Sequence, residues 1–85
     1  MVQFVYQIKN ENGIHARPAG ALVKEAKSMT SQIEISVGEK KADMKKMFAL
    51  MALGVRQHDT ATVTLTGPDE EAEALLLEKY MRVHF

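Results

Sequence analysis

The chain reads as a single α+β domain with the element order βαββαβα, one antiparallel sheet carrying its helices on one face. Three observations point there. Apolar and polar residues alternate in Val2 to Ile8, Ile33 to Val37 and Thr60 to Thr66, the period of a strand with one buried side. Helical spacing begins near Ala16, Met44 and Asp69, where apolar positions recur every three or four residues. Sheets and helices with one apolar side each must bury those sides against one another.

Composition narrows the class. Eighty-five residues suit one small domain, taken here as residues 1–85, with a modest core. Cysteine is absent, which excludes disulfides and thiolate metal sites and fits a reducing compartment. Eleven basic residues balance eleven acidic ones, so no surplus drives non-specific nucleic-acid binding. Met1 to Ile8 alternates and has no basic segment followed by an apolar core, so a signal peptide is not expected. No apolar run approaches a membrane span, so no direct insertion is expected. The expectation is a soluble, cytoplasmic protein.

The elements follow in order. Val2, Phe4, Tyr6 and Ile8 form the apolar side of the first strand, and Lys9 to Gly13 turns. The first helix is expected from about Ala16 to Ser28, with Pro18 opening it and Ala19, Leu22, Val23 and Ala26 facing the core. Gly20, Lys24 and Lys27 then lie outside. Glycine costs roughly 1 kcal/mol against alanine inside a helix, and close approach by another surface is one reason to keep Gly20. Ile33, Ile35 and Val37 mark the second strand, and Gly38-Glu39 suits a two-residue hairpin. The third strand, Lys40 to Asp43, is nearly all polar and fits a sheet edge guarded by lysines. Met44 to Leu53 predicts a second helix, apolar nearly all round. So small a chain cannot engulf it, so Met47, Phe48 and Met51 are expected to be partly exposed as a docking patch. Methionine repacks readily against different partners. Gly54 ends that helix. Ala61, Val63 and Leu65 face inward from the fourth strand, between threonines suited to a solvated face. Gly67-Pro68-Asp69 starts the third helix, with Ala72, Leu75, Leu76, Tyr80 and Val83 as its expected inner stripe.

The chemistry concentrates in Asn12 to Ala21, Asn-Gly-Ile-His-Ala-Arg-Pro-Ala-Gly-Ala. A turn leads to a lone histidine, a cation and a helix start. Neither Ala16 nor Arg17 can cap that start through a side-chain oxygen. The first-turn amides, with the positive end of the helix dipole, therefore form a site for an anion. Arg17 adds a planar fork of donors that suits phosphate. His15 adds a ring nitrogen able to act as a nucleophile. His58 and His84 lack metal-ligand spacing to any acid or histidine, so no metal or other cofactor is expected. Lys24, Lys27 and Lys45 are placed around the His15 face to steer acidic partners, and Lys40 and Lys41 serve solubility.

Gly13-Ile14-His15-Ala16-Arg17-Pro18-Ala19 resembles the active-site signature of HPr, the histidine phosphocarrier of bacterial sugar phosphotransferase systems. The similarity extends over almost the whole chain, with a second match at Met44 to Gly54. It implies the HPr-like open-faced β-sandwich with strand order 1-4-2-3. It implies a phosphoryl group received on Nδ1 of His15 from enzyme I, derived from phosphoenolpyruvate, and passed to enzyme IIA components. His15 and Arg17 would carry the chemistry, and the amides of Ala16 and Arg17 would bind the phosphoryl oxygens. Gly20, Lys24, Lys27, Met47, Phe48 and Met51 would form the docking surface. The chain would be a monomeric, stoichiometric carrier rather than a stand-alone enzyme.

Some residues depart from the pattern. Many HPr proteins of Gram-positive bacteria carry a regulatory serine just before the second helix, and Lys46 stands there. Lysine has no hydroxyl to phosphorylate, and its charge opposes the helix dipole. Asp43 is expected to compensate as an earlier cap. Gly38-Glu39 replaces the usual Asn-Gly, and His58 a common glycine. The alternatives are a regulatory binding module on the same fold, and a paralogous carrier serving a non-sugar relay. Retention of His15 favours a carrier.

Overall fold

A computed structural model describes residues 1–85. The elements are β1 (Val2–Gln7), α1 (Ala16–Lys27), β2 (Gln32–Val37), β3 (Lys40–Asp43), α2 (Met47–Ala52), β4 (Thr60–Thr66) and α3 (Glu70–His84). All strand pairs are antiparallel, in the spatial order β1-β4-β2-β3. β1 and β3 are therefore the edges, and the long strand β4 is gripped from both sides. Its inward residues Ala61, Val63 and Leu65 are buried, as are Tyr6 of β1 and Ile33 and Ile35 of β2. The other face shows Gln3, Gln7, Glu34 and the β4 threonines to solvent in whole or part.

The β2–β3 turn is the two-residue hairpin expected. Val37 pairs with Lys40, and Gly38 has φ +61°, a value glycine adopts without the clash a side chain would bring. Against the inner face of the sheet pack Ala19, Leu22, Val23 and Ala26 of α1, all buried. Leu50 of α2 and Leu77 and Met81 of α3 complete one continuous core.

Two helix expectations are corrected. On α3, Leu75, Leu76 and Val83 point outward, and Ala72 is also exposed. The inward positions are Leu77, Met81 and partly Ala74, with Tyr80 half-buried beside them. Three consecutive leucines allow several phases of the stripe, and Met81 and Phe85 decide among them. On α2, the helix begins only at Met47, with Lys46 as its N-cap in extended conformation. Met44 is fully buried in the preceding turn, an apolar anchor rather than a helical residue. Asp43 does compensate locally: its carboxylate accepts from the Lys45 N–H at 2.9 Å and its carbonyl from the Lys46 N–H at 3.0 Å. It caps the turn before α2, and α2 has no side-chain cap.

Glu73 ties the start of α3 to the α1–β2 turn. Its carboxylate accepts from the N–H groups of Thr30 at 2.8 Å and Ser31 at 2.9 Å, and from the buried Ser31 hydroxyl at 2.5 Å. The Ser31 hydroxyl is the main cause holding the Glu73 carboxyl below its ordinary pKa, against some desolvation. Sequence spacing carried no sign of this contact, because its partners lie far apart in the chain.

Candidate functional site

The site is the entrance to α1. His15 occupies the N-cap with φ −104° and ψ 176°, and its side chain makes no capping hydrogen bond. Its ring is exposed. Its carbonyl accepts the Ala19 N–H at 2.8 Å, closing the first turn. Pro18 is thus the third helical residue rather than the first. Its position has a chemical effect, because it has no N–H. Only Ala16 and Arg17 present free first-turn amides, and neither donates to any acceptor of the protein. Arg17 is exposed and unpaired, for the ion pairs are Met1–Glu70 and Glu78–Arg82.

The loop before His15 is held rigidly. Ile14 is buried, and its N–H donates to the Val55 carbonyl at 3.2 Å. Gly13 sits at φ +63°, and a Cβ there would lie 2.2 Å from the Val55 oxygen and 2.8 Å from the Arg56 Cα. Only glycine fits so close to that backbone. Upstream, the N–H groups of Lys9 and Asn10 donate to the Phe85 carbonyl at 2.6 and 2.8 Å. The far side of the contact is braced too. The Asp59 carboxylate accepts the Arg56 N–H at 2.9 Å, and His58 takes φ +74°, a left-handed conformation uncommon for a residue with a side chain. That is the position where a glycine was missed in the sequence.

The contact brings in Arg56, which spacing did not single out. It is exposed and has no ion pair. Its only advance sign was an unpaired cation just after the Gly54 terminator, which says nothing without the tertiary contact.

Arg17, Gly20, Lys24 and Lys27 follow one another at helical spacing along α1. Lys24 and Lys27 are exposed, and Gly20 is half-buried with nothing within 4 Å of where its Cβ would be. Within the protein, then, Gly20 has no steric reason to be glycine. Helix α2 packs beside α1. Phe48 is 91% exposed, Met51 36%, and Met47 is half-buried against the core. Lys45 does not join this face. Its Nζ donates to the Met29 carbonyl at 2.9 Å, beyond the far end of α1.

Two surface grooves lie away from His15. One crosses the open sheet face near Thr64 and Thr66, and the other flanks the start of α3. No three His, Asp or Glu side chains converge on a common point suited to a metal ion. No helix is long and apolar enough to cross a membrane. A small exposed ring beside two unpaired amides suits a transient covalent anion better than an enclosed ligand.

The family description "PTS HPr component phosphorylation site" matches residues 2–82. The chain belongs to the HPr family. The phosphocarrier protein HPr of Buchnera aphidicola subsp. Baizongia pistaciae is 40% identical over 81 residues, 95% of each chain. That of Haemophilus influenzae is 40% identical over 65 residues, 76% of each. Among solved structures, HPr-C-His from Thermoanaerobacter tengcongensis superposes with a TM-score of 0.93 at 34% identity, covering 100% of this chain and 96% of that one. HPr from Bacillus anthracis gives 0.87 at 32% identity, covering 93% and 94%. The strand order 1-4-2-3 is thus an HPr family feature, and the His15 entrance lies within the matched residues.

Proposed function

We propose that this HPr-family protein is a phosphocarrier of the phosphotransferase system and that His15 holds the phosphoryl group. The observation that carries the reading is the exposed His15 ring at a helix N-cap, next to the two unpaired amides of Ala16 and Arg17. A ring nitrogen of His15 attacks the phosphorus of a donor phosphohistidine. The N–P bond to His15 forms as the donor's N–P bond breaks, and the donor imidazole keeps the electron pair. Nδ1 is the nitrogen nearer the backbone, so a phosphoryl group there falls closest to the amides. The amides and the Arg17 guanidinium then donate to its oxygens, at about 1.5–3 kcal/mol for each charge-assisted bond. Transfer onward reverses the same steps on an acceptor.

By family resemblance the donor is enzyme I and the acceptors are enzyme IIA components, with sugar uptake as the relay. Gly20, Lys24, Lys27, Met47, Phe48 and Met51 form the surface both would meet. A flexible apolar patch beside lysines suits partners that differ in detail and share acidic character. One surface meeting donor and acceptor in turn calls for moderate affinity. The protein acts as a stoichiometric substrate of other enzymes.

The test is incubation with enzyme I and labelled phosphoenolpyruvate. An acid-labile, base-stable label on the wild type, lost in His15→Ala, is expected. Absence of label on the wild type ends the reading, and a label retained by His15→Ala moves the site.

A further inference from the structure

All the sulfur in this chain is thioether: six methionines and no cysteine. The fold sorts these methionines by access. Met29, Met44 and Met81 are buried in the core. Met47 and Met51 lie on α2, which reads Met-Phe-Ala-Leu-Met-Ala and carries no polar side chain. Four residues apart, they share one side of the helix. Met47 is half-buried, and Met51 is exposed next to the open Phe48. Met1 is also exposed, but its amino group pairs with Glu70 at the start of α3. The loop before His15 is tied to Phe85, at the other end of that helix. A 15-residue helix is about 22 Å long, so Met1 is remote from the His15 entrance.

We propose that Met51, with Met47 behind it, is an oxidative modification site: hydrogen peroxide converts its thioether to the sulfoxide, and docking of protein partners weakens while the fold stays intact. The proposal rests on the carrier reading, in which α2 meets both donor and acceptor. A lone pair of the Met51 sulfur attacks one oxygen of hydrogen peroxide. The S–O bond forms as the O–O bond breaks. The departing hydroxide takes the proton of the transferred oxygen and leaves as water. Sulfur gives up an electron pair and the peroxide is reduced. A methionine sulfoxide reductase reverses the change, its dithiol closing to a disulfide as the oxygen leaves as water.

The sulfoxide is then the one polar side chain on α2. Its oxygen accepts hydrogen bonds and donates none, so a partner chosen for acidic character, as the neighbouring Lys24 and Lys27 select, offers it no match. Stripping water from an unmatched polar group in an interface raises KM by roughly tenfold. The stability of the domain is insulated from the same chemistry. Met51 lies outside the core cluster, whereas a sulfoxide on Met44 or Met81 would sit among apolar side chains. The sulfurs that hold the fold are shielded, and those that face partners are open to the oxidant.

Peroxide titration of the folded chain, followed by peptide mass mapping, tests the site. Met51 should gain oxygen ahead of Met47, and Met29, Met44 and Met81 only after unfolding. Phosphorylation by enzyme I tests the consequence. The KM of the oxidised protein should rise roughly tenfold, and the reductase should restore it. Phosphorylation of His15 by phosphoramidate, a small donor that needs no docking surface, should keep its rate. The double variant Met47→Leu, Met51→Leu keeps Met1 and an apolar patch. Whatever its own KM, that value should be the same with and without peroxide. Oxidation of the buried methionines in step with Met51 overturns the proposal. So does peroxide inhibition that survives in the double variant, or a phosphoramidate rate that falls with the KM effect. An unoxidised protein that enzyme I does not label overturns the carrier reading and the proposal together. A labelled protein whose KM is indifferent to the Met51 sulfoxide overturns the proposal alone.

Discussion

Gly13→Ala should be the most informative single change, because it separates the position of His15 from the chemistry of His15. The substitution has two costs. An L-residue at φ +63° loses about 1–2 kcal/mol to the clash of Cβ with its own backbone. The new Cβ would also lie 2.2 Å from the Val55 carbonyl oxygen, so the loop must move away. Separation weakens the Ile14–Val55 hydrogen bond, worth about 1 kcal/mol, and lifts buried Ile14 from its seat. These add to about 2–3 kcal/mol, and the displacement of Ile14 takes the loss to the upper end, about 3 kcal/mol. For a domain of this size each kcal/mol moves the Tm by about 4–8 °C, so a fall of roughly 12–24 °C is expected. Gly38→Ala is the matched control: φ is +61°, but nothing lies within 4 Å of its Cβ, so it should lose only the backbone cost of about 1–2 kcal/mol. Thermal unfolding by circular dichroism measures both. Phosphorylation by enzyme I, with protein kept well below its Tm, should fall in Gly13→Ala and not in Gly38→Ala. Equal melting losses, within about 0.5 kcal/mol, would refute the claim that the Val55 contact holds the loop. Equal phosphorylation would refute the claim that the contact positions His15.

Four other changes test separate parts of the structure. Glu73→Ala strands the buried Ser31 hydroxyl and should destabilise by about 2 kcal/mol at neutral pH. The folded pKa of Glu73 is lowered, so its contribution is full above the unfolded value of about 4.3 and fades as pH falls through the lower folded value. Urea midpoints of wild type and variant should therefore converge in acid. Lys46→Ser supplies the cap that α2 lacks and should stabilise by about 1 kcal/mol, read as a rise in Tm. Gly20→Ala should stabilise the free protein by up to about 1 kcal/mol, yet raise the KM for enzyme I if a partner approaches that surface closely. Arg56→Ala should leave Tm unchanged and raise the KM of phosphoryl transfer, since a free cation beside the Gly13 loop attracts an anionic donor; an unchanged KM removes Arg56 from the site.

The strands were legible because each has one wet side. Val63 and Leu65 between threonines, or Phe4 and Tyr6 between glutamines, leave one phase for the sheet. Helix α3 was not, because Leu75-Leu76-Leu77 satisfies more than one phase, and the true one depends on Met81 meeting the sheet. Met44 misled for a related reason: an apolar residue near a helix start looks the same whether it belongs to the helix or anchors the turn before it. At the candidate site, the uncapped helix entrance at His15 to Arg17 was readable because the features that mark it are local. The buttress of Gly13 on Val55 and Arg56 was not, since no short-range spacing encodes a contact between two loops. Glu73 was hidden too. An acid near a helix start is explained well enough by the dipole that nothing prompts a search for Thr30 and Ser31.

The placement of Pro18 bears on why such a site can release what it holds. A helix start offers up to four free amides, and an anion held by all of them would be slow to leave. Each additional 1.4 kcal/mol of ground-state binding that is absent in the transition state slows transfer about tenfold. Here the third helical residue is Pro18, which has no N–H to give, and from Ala19 onward the N–H groups are spent on the helix itself, beginning with the bond to the His15 carbonyl. Within the helix two free amides remain, those of Ala16 and Arg17, fixed in direction by a loop locked to Val55 and to Phe85. Arg17 is different, an exposed side chain free to follow the phosphoryl group or to withdraw. On the proposed reading, the rigid donors would set where the phosphoryl group sits, and the mobile one would exchange its hold for contacts with the next protein. The fold therefore limits the number of fixed donors as much as it supplies them, which is the physical difference between a carrier and a tight phosphate-binding site.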